Sequence, residues 1–143
     1  MKRILGSVVV LGCFCAAFGK PEVSALAVEP TKPGKLYEMR TYVAQPGKLD
    51  ALHARFRDHT CRLFQKHGIE VVGFWAPCEG EAAQDTLIYI VAFPDAEAQK
   101  KAWAAFRADP EWQKAKADSE RDGPLVKEIK TQNLKATNYS PLR

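Results

Sequence analysis

The residues best suited to proton chemistry are three histidines, at positions 53, 59 and 67. Imidazole is the one side chain whose unperturbed pKa, about 6.5, falls in the physiological range, and a histidine facing a sheet could shuttle a proton or hold a cofactor. His53 fits a packing position, and His67 stands one residue before Gly68, where a helix-terminal side chain is the simpler reading. His59, at the edge of the same apolar face, is the best placed of the three to reach a cleft. A second group lies close by in Tyr37, Glu38, Arg40 and Tyr42. Glu38 and Arg40 are two residues apart and share a face of an extended segment. They can pair with each other, or Arg40 can clamp an anion with Tyr42 as donor. Trp75, Trp103, Phe106 and Trp112 stand at core spacing and would otherwise line an aromatic pocket. The expected ligand-binding residues are therefore His59, Tyr37, Arg40, Tyr42 and Trp75. No catalytic residue, metal ligand or cofactor is assigned.

Absent patterns narrow the chemistry. The sequence holds no Gly-rich phosphate loop, Gly-x-Ser-x-Gly, His-Glu-x-x-His or close carboxylate pair, so common hydrolase, kinase and metalloprotease reactions are unsupported. Lys and Arg number 21 against 17 Asp and Glu. The charges are interspersed and form no basic stripe, which argues against nucleic acid.

The first residues have the pattern of an export signal. Lys2 and Arg3 precede an uncharged run from Ile4 to Phe18, too short to span a bilayer well, and small-x-small sites follow at Ala17-Phe18-Gly19 and Ala25-Leu26-Ala27. Cleavage after Ala27 is preferred because Pro30 and Pro33 begin an extended tether just beyond. It leaves 18 basic against 16 acidic residues. A competing reading takes Val10-Leu11-Gly12-Cys13 as a lipobox with Cys13 lipidated, but the apolar run continues past the cysteine. The expected division is a signal peptide at 1–27, a linker at 28–35 and one domain at 36–140, with a periplasmic or extracellular destination. Cys61 and Cys78 remain in the mature chain. One is mid-helix and the other is at the far end of the following strand, a separation far beyond the roughly 7 Å a disulfide tolerates between Cα atoms.

The elements that would position these residues follow from periodicity. Leu36 to Ala44 alternates as a strand, with Tyr37, Met39, Thr41 and Val43 assigned to the helix-covered face and Leu36 and Tyr42 pointing away. From Lys48 the period becomes helical, with Leu49, Leu52, His53, Phe56, Thr60, Leu63, Phe64 and His67 on one side until Gly68. Ile69 to Ala76 and Thr86 to Phe93 predict two more strands around a turn at Pro77 to Gln84, the later strand apolar on both faces and so central. Asp95 caps a helix that Asp109-Pro110 interrupts, with Asp109 capping and Pro110 opening a short helix toward Glu120. Val126 to Thr137, carrying Lys127, Lys130 and Lys135, suits an edge strand or a dimer-facing surface.

The order β-α-β-β-α-β is an α+β ferredoxin-like split unit with helices on one face of an antiparallel sheet. Two helices cover one face only, so a second copy is expected to cover the other, closing a barrel between protomers.

Tyr37-Glu38-Met39-Arg40-Thr41-Tyr42, Pro46-Gly47-Lys48, His67-Gly68, Gly73-Phe74-Trp75 and above all the stretch from Trp103 to Trp112 (WAAFRADPEW) resemble the NIPSNAP domain pattern over roughly residues 36 to 140. The resemblance implies a dimeric α+β barrel. It implies no particular reaction, because that family has no generally established one and its better-known eukaryotic members are mitochondrial proteins with partner-binding roles. Ile4 to Phe18 is neither Arg- and Ser-rich nor amphipathic, so it is unlike a mitochondrial transit peptide. The expected function is a homodimer that binds a small hydrophobic ligand or a protein partner. The competing expectation, on fold analogy, is an enzyme like the small monooxygenases that share this barrel, with His59, Tyr37 or Arg40 around a pocket between helices and sheet.

Overall fold

Alternation in LYEMRTYVA builds the first strand, β1 (Leu36–Ala44), in a computed structural model that describes residues 34–142. The expected signal peptide, its cleavage site and Cys13 lie outside the described residues. The helical period that follows becomes α1 (Leu49–Arg55), a π-helical turn (Phe56–Thr60) and α2 (Cys61–Lys66), continuous through right-handed backbone at Phe56 and Cys61. At the wide turn the Cys61 N–H donates to the Phe56 carbonyl five residues back, and Thr60 Oγ1 donates to the Arg55 carbonyl at 3.1 Å. One residue more than a normal turn is accommodated, which brings Arg55, Phe56 and Thr60 all to buried positions. Gly68, with φ of 70°, ends this helix in the left-handed region.

β2 (Glu70–Trp75) and β3 (Thr86–Phe93) follow, joined through a 3-10 turn at Glu81–Gln84. Asp95 caps α3 (Ala96–Ala108) by accepting from the Ala98 N–H at 2.8 Å. Asp109 then caps α4 (Pro110–Ser119), with Pro110 at its start, and β4 (Val126–Lys135) completes the chain of elements. The sheet order is β2-β3-β1-β4, with every neighbouring pair antiparallel. This is the ferredoxin-like α+β arrangement, and the doubly apolar β3 is central in it as expected.

The helices meet one face of the sheet, and the register identifies which. Leu87, Tyr89, Val91 and Phe93 of β3 are buried against Phe56, Phe64, Trp103 and Phe106. Their partners on β1 are Tyr42, Arg40, Glu38 and Leu36. The expected facing of β1 is therefore reversed: Leu36, Glu38, Arg40 and Tyr42 look toward the helices, and Tyr37, Met39, Thr41 and Val43 look away. The cause is chemical. A Glu and an Arg make a strand face look solvent-directed, but here the helices supply the groups that satisfy them. The face turned from the helices carries the second β1 set with Ile88, Ile90 and Ala92 of β3. It is largely apolar over these two strands, with Glu128, Lys130 and Gln132 of β4 and Glu70 of β2 toward its edges.

Candidate functional site

Glu38 organises the helix side of the sheet. Its carboxylate is 2% exposed and accepts three hydrogen bonds of 2.6 Å, from Arg40 Nε, Gln99 Nε2 and Trp103 Nε1. A charge placed so deep is tolerable only with such full compensation. Arg40 lies over the Trp103 ring, 4.0 Å from its centroid, and its Nη1 donates to the Tyr42 hydroxyl at 3.3 Å. Tyr89, with no exposed surface, donates to the same hydroxyl at 3.2 Å. Burial opposes the Arg40 charge, but the Tyr89 and Tyr42 oxygens and the Glu38 carboxylate outweigh it and hold the guanidinium protonated beyond its ordinary range. Burial, aided by Tyr42, pushes the Tyr89 hydroxyl well above its usual value, so it stays a donor.

A second buried arginine stands opposite. Arg55, at the end of α1, is 4% exposed and donates from Nη1 to Glu120 at 2.8 Å, with Ser119 Oγ more distant at 3.4 Å. Its guanidinium carbon is 5.5 Å from the centroid of Trp112, which in turn stacks on Phe106 at 4.5 Å. Arg55 Nε is buried and has no hydrogen-bond partner among the described residues. An unsatisfied buried donor of this kind costs about 1–3 kcal/mol.

These groups border a cleft of 730 Å³ between the helices and the sheet. It exists because the chain turns at Asp109-Pro110, so that α4 packs against α1 and the π-helical turn while β4 stays exposed along nearly all its length. Phe56, Phe64, Trp103, Phe106 and Trp112 form aromatic walls, with Val126 and Ile129 on the β4 side. Arg40, Arg55, Arg107, Lys116 and Lys127 line it against two acids, Glu120 and Glu128. Its size lies in the range of about 300–1,000 Å³ typical of small-molecule sites.

Of the residues expected from sequence to bind ligand, the cleft brings together Arg40 and Tyr42. Tyr37 is buried on the opposite face of the sheet. Trp75, 48% exposed, lies at the end of β2 on that opposite face, its ring so close above Gly73 that a Cβ there would stand 2.8 Å from it. His59 is exposed on the π-helical turn. His53 borders a separate 420 Å³ depression beside Phe74 and Trp75. His67 is more than a helix terminus: its Nε2 lies 2.6 Å from Asp109 Oδ2, which also accepts from Lys66 Nζ at 2.7 Å. Cys61 and Cys78 are both free, and burial pushes the Cys61 thiol up, away from the reactive thiolate. Among the described residues no group of three or more His, Cys, Asp or Glu could hold a metal, and no helix is long and apolar enough to cross a membrane.

Arg55 and Glu120 were missed in the sequence. The available signal was an arginine three residues after Leu52, on the inward side of an otherwise apolar helix face. Nothing in the sequence near Glu120 marks it as its partner.

A four-stranded antiparallel sheet with its helices on one face, a cleft beneath them and a mainly apolar centre on the other face is the arrangement of the dimeric α+β barrel class. Within that class the chain belongs to the NIPSNAP family, whose model matches residues 37–141. Among solved structures it is similar to a NIPSNAP family protein with unknown function from Agrobacterium tumefaciens, with 25% identity, a TM-score of 0.67, and coverage of 78% of this chain and 96% of that one. An uncharacterized NIPSNAP-like domain protein from Burkholderia xenovorans gives 18% identity, a TM-score of 0.67, and coverage of 76% and 90%. SnoaB, a cofactor-independent oxygenase from Streptomyces nogalater, shares the fold at 14% identity and a TM-score of 0.51, over 76% of this chain and 98% of its own. No curated protein matches the chain.

Proposed function

We propose that the protein is an exported homodimer in which each subunit binds a small, largely apolar molecule in the cleft between helices and sheet. The observation that carries this reading is the 730 Å³ cleft with its aromatic walls, a size in the range typical of small-molecule sites. Export rests on the Lys2-Arg3 n-region and the apolar run to Phe18. Dimerisation rests on the apolar sheet face turned from the helices, and Tyr37 and Trp75 then serve the subunit contact, not the ligand. Native mass spectrometry of the protein recovered from the extracytoplasmic fraction of its own host tests all three parts. The expected species is a dimer of chains beginning at Val28 that carries a small molecule released on denaturation. A ligand-free monomer retaining residues 1–27 would overturn the reading.

A second reading is a cofactor-independent oxygenase like SnoaB. It is supported by the shared fold and by the paired Tyr42 and Tyr89 hydroxyls next to Arg40 beside the cleft, a set able to orient a phenolic substrate. Oxygen consumption on addition of the recovered molecule separates the two, because a binding protein returns it unchanged.

A further inference from the structure

We infer that the molecule held in the cleft is an aromatic carboxylic acid, its carboxylate seated on the free edge of Arg55 and its ring against Trp112. The inference rests on the cleft being a ligand site. Arg55 engages Glu120 through Nη1, while Nη2 makes no hydrogen bond among the described residues and Nε is both buried and unpartnered. Nε and Nη2 form the side-on edge of the guanidinium, two parallel donors at the spacing of the two oxygens of a carboxylate. Nε, closed off from water and without an acceptor, belongs to a side chain 4% exposed that borders the cleft, so an acceptor arriving beside Nη2 would satisfy it.

The surroundings select the rest of the ligand. The Trp112 ring already stacks on Phe106 and lies under the Arg55 guanidinium, so a planar ring carrying the acid meets an aromatic wall beside the fork. The field is positive as well. Arg40 is compensated by Glu38, but Glu120 is the nearest acid to both Arg55 and Lys116, at 2.8 and 4.0 Å, and Arg107 and Lys127 make no ion pair among the described residues. One buried fork in a mainly aromatic wall fits a monoanion. A phosphate dianion would need more buried donors than this site offers.

The test is calorimetric titration of the purified dimer or monomer with 2-naphthoate and with 2-naphthalenemethanol, a neutral compound of nearly the same shape. Naphthoate is expected to bind about tenfold or more tighter, the worth of one charge-assisted pair. Arg55→Lys keeps the charge and removes the fork, so the preference should shrink toward parity. Glu120→Gln, at a half-buried position where the fold tolerates change more easily, should strengthen naphthoate binding and leave the alcohol unchanged. Equal binding of the two compounds to the unmodified protein, or no response of the preference to Glu120→Gln, would overturn the carboxylate assignment and leave the cleft as a site for neutral ligands. Failure of both compounds to bind would remove the cleft reading itself.

Discussion

Glu38 and Arg55 are two of the three charged residues buried among the described residues, Asp109 being the third, and the two are satisfied to different degrees. Glu38 receives donors from its own strand and from α3, so its pairing is complete within the fold. Arg55 has one acid and a bare edge. The difference separates structure from function: the first charge holds the sheet to the helix, the second is available to bind. Replacing Glu38 by Gln keeps the shape but removes the counter-charge of Arg40, and the amide cannot accept from Gln99, Trp103 and Arg40 together. Loss of one member of a buried pair costs about 3–5 kcal/mol, and the 18% exposure of the Arg40 side chain moderates this to about 3 kcal/mol. The midpoint of urea unfolding should fall accordingly with an unchanged slope, and an unaltered midpoint would mean that Glu38 contributes nothing net. The pairing of Glu38 with Arg40 was legible in the sequence, because residues two apart on a strand share a face. Which face they share was not, since both faces of β1 carry apolar residues and only the register with β3 decides.

At the scale of elements, Asp109 joins three helical segments. Oδ1 accepts from the Glu111 N–H at 2.8 Å and caps α4, while Oδ2 meets Lys66 and His67 at the end of α2, and Glu111 adds an outer ion pair with Arg62. The Lys66 ammonium first, then His67 and the Glu111 N–H, hold the Asp109 carboxyl far below the usual carboxylate range. A carboxylate depressed in the folded state stabilises above its unfolded pKa, about 3.9, and loses that contribution as pH falls toward the folded value. Asp109→Asn should therefore be less stable than the unmodified protein at pH 7, and thermal melts should show the gap closing below about pH 4. A gap as large at pH 2 as at pH 7 would mean that the cap geometry, not the charge, carries the effect. The cap itself could be read from Asp109-Pro110, because capping is local chemistry. The π-helical turn could not. Leu52, Phe56, Thr60, Leu63 and Phe64 satisfy an ordinary helical period, which conceals the slip that turns Arg55 inward. A pocket between helices and sheet was expected from fold analogy, but most of its lining was not, because that depends on where α4 leaves β4 uncovered, a matter of packing between distant segments.

For the whole molecule the decisive surface is the sheet face away from the helices. Met39 and Ile90 stand opposite each other in its middle, both half-buried, with Thr41, Val43 and Ile88 around them and the exposed Trp75 and Leu134 at its margins. An apolar sheet face of this kind is stable in water only when another layer covers it, and a second copy offers a surface of matching twist and character. Because Ile90 is on a central strand, a charge there cannot reach the rim. Ile90→Arg should thus give a monomer in light scattering at micromolar concentration, with the far-ultraviolet spectrum retained because the helices pack on the other side. The cleft also lies on that other side, so naphthoate affinity per subunit should stay within about threefold of the unmodified protein, a change of less than 1 kcal/mol. A dimer that survives Ile90→Arg would place the subunit contact elsewhere. A monomer that loses ligand binding would make the cleft dependent on its neighbour, and the site would then belong to the pair.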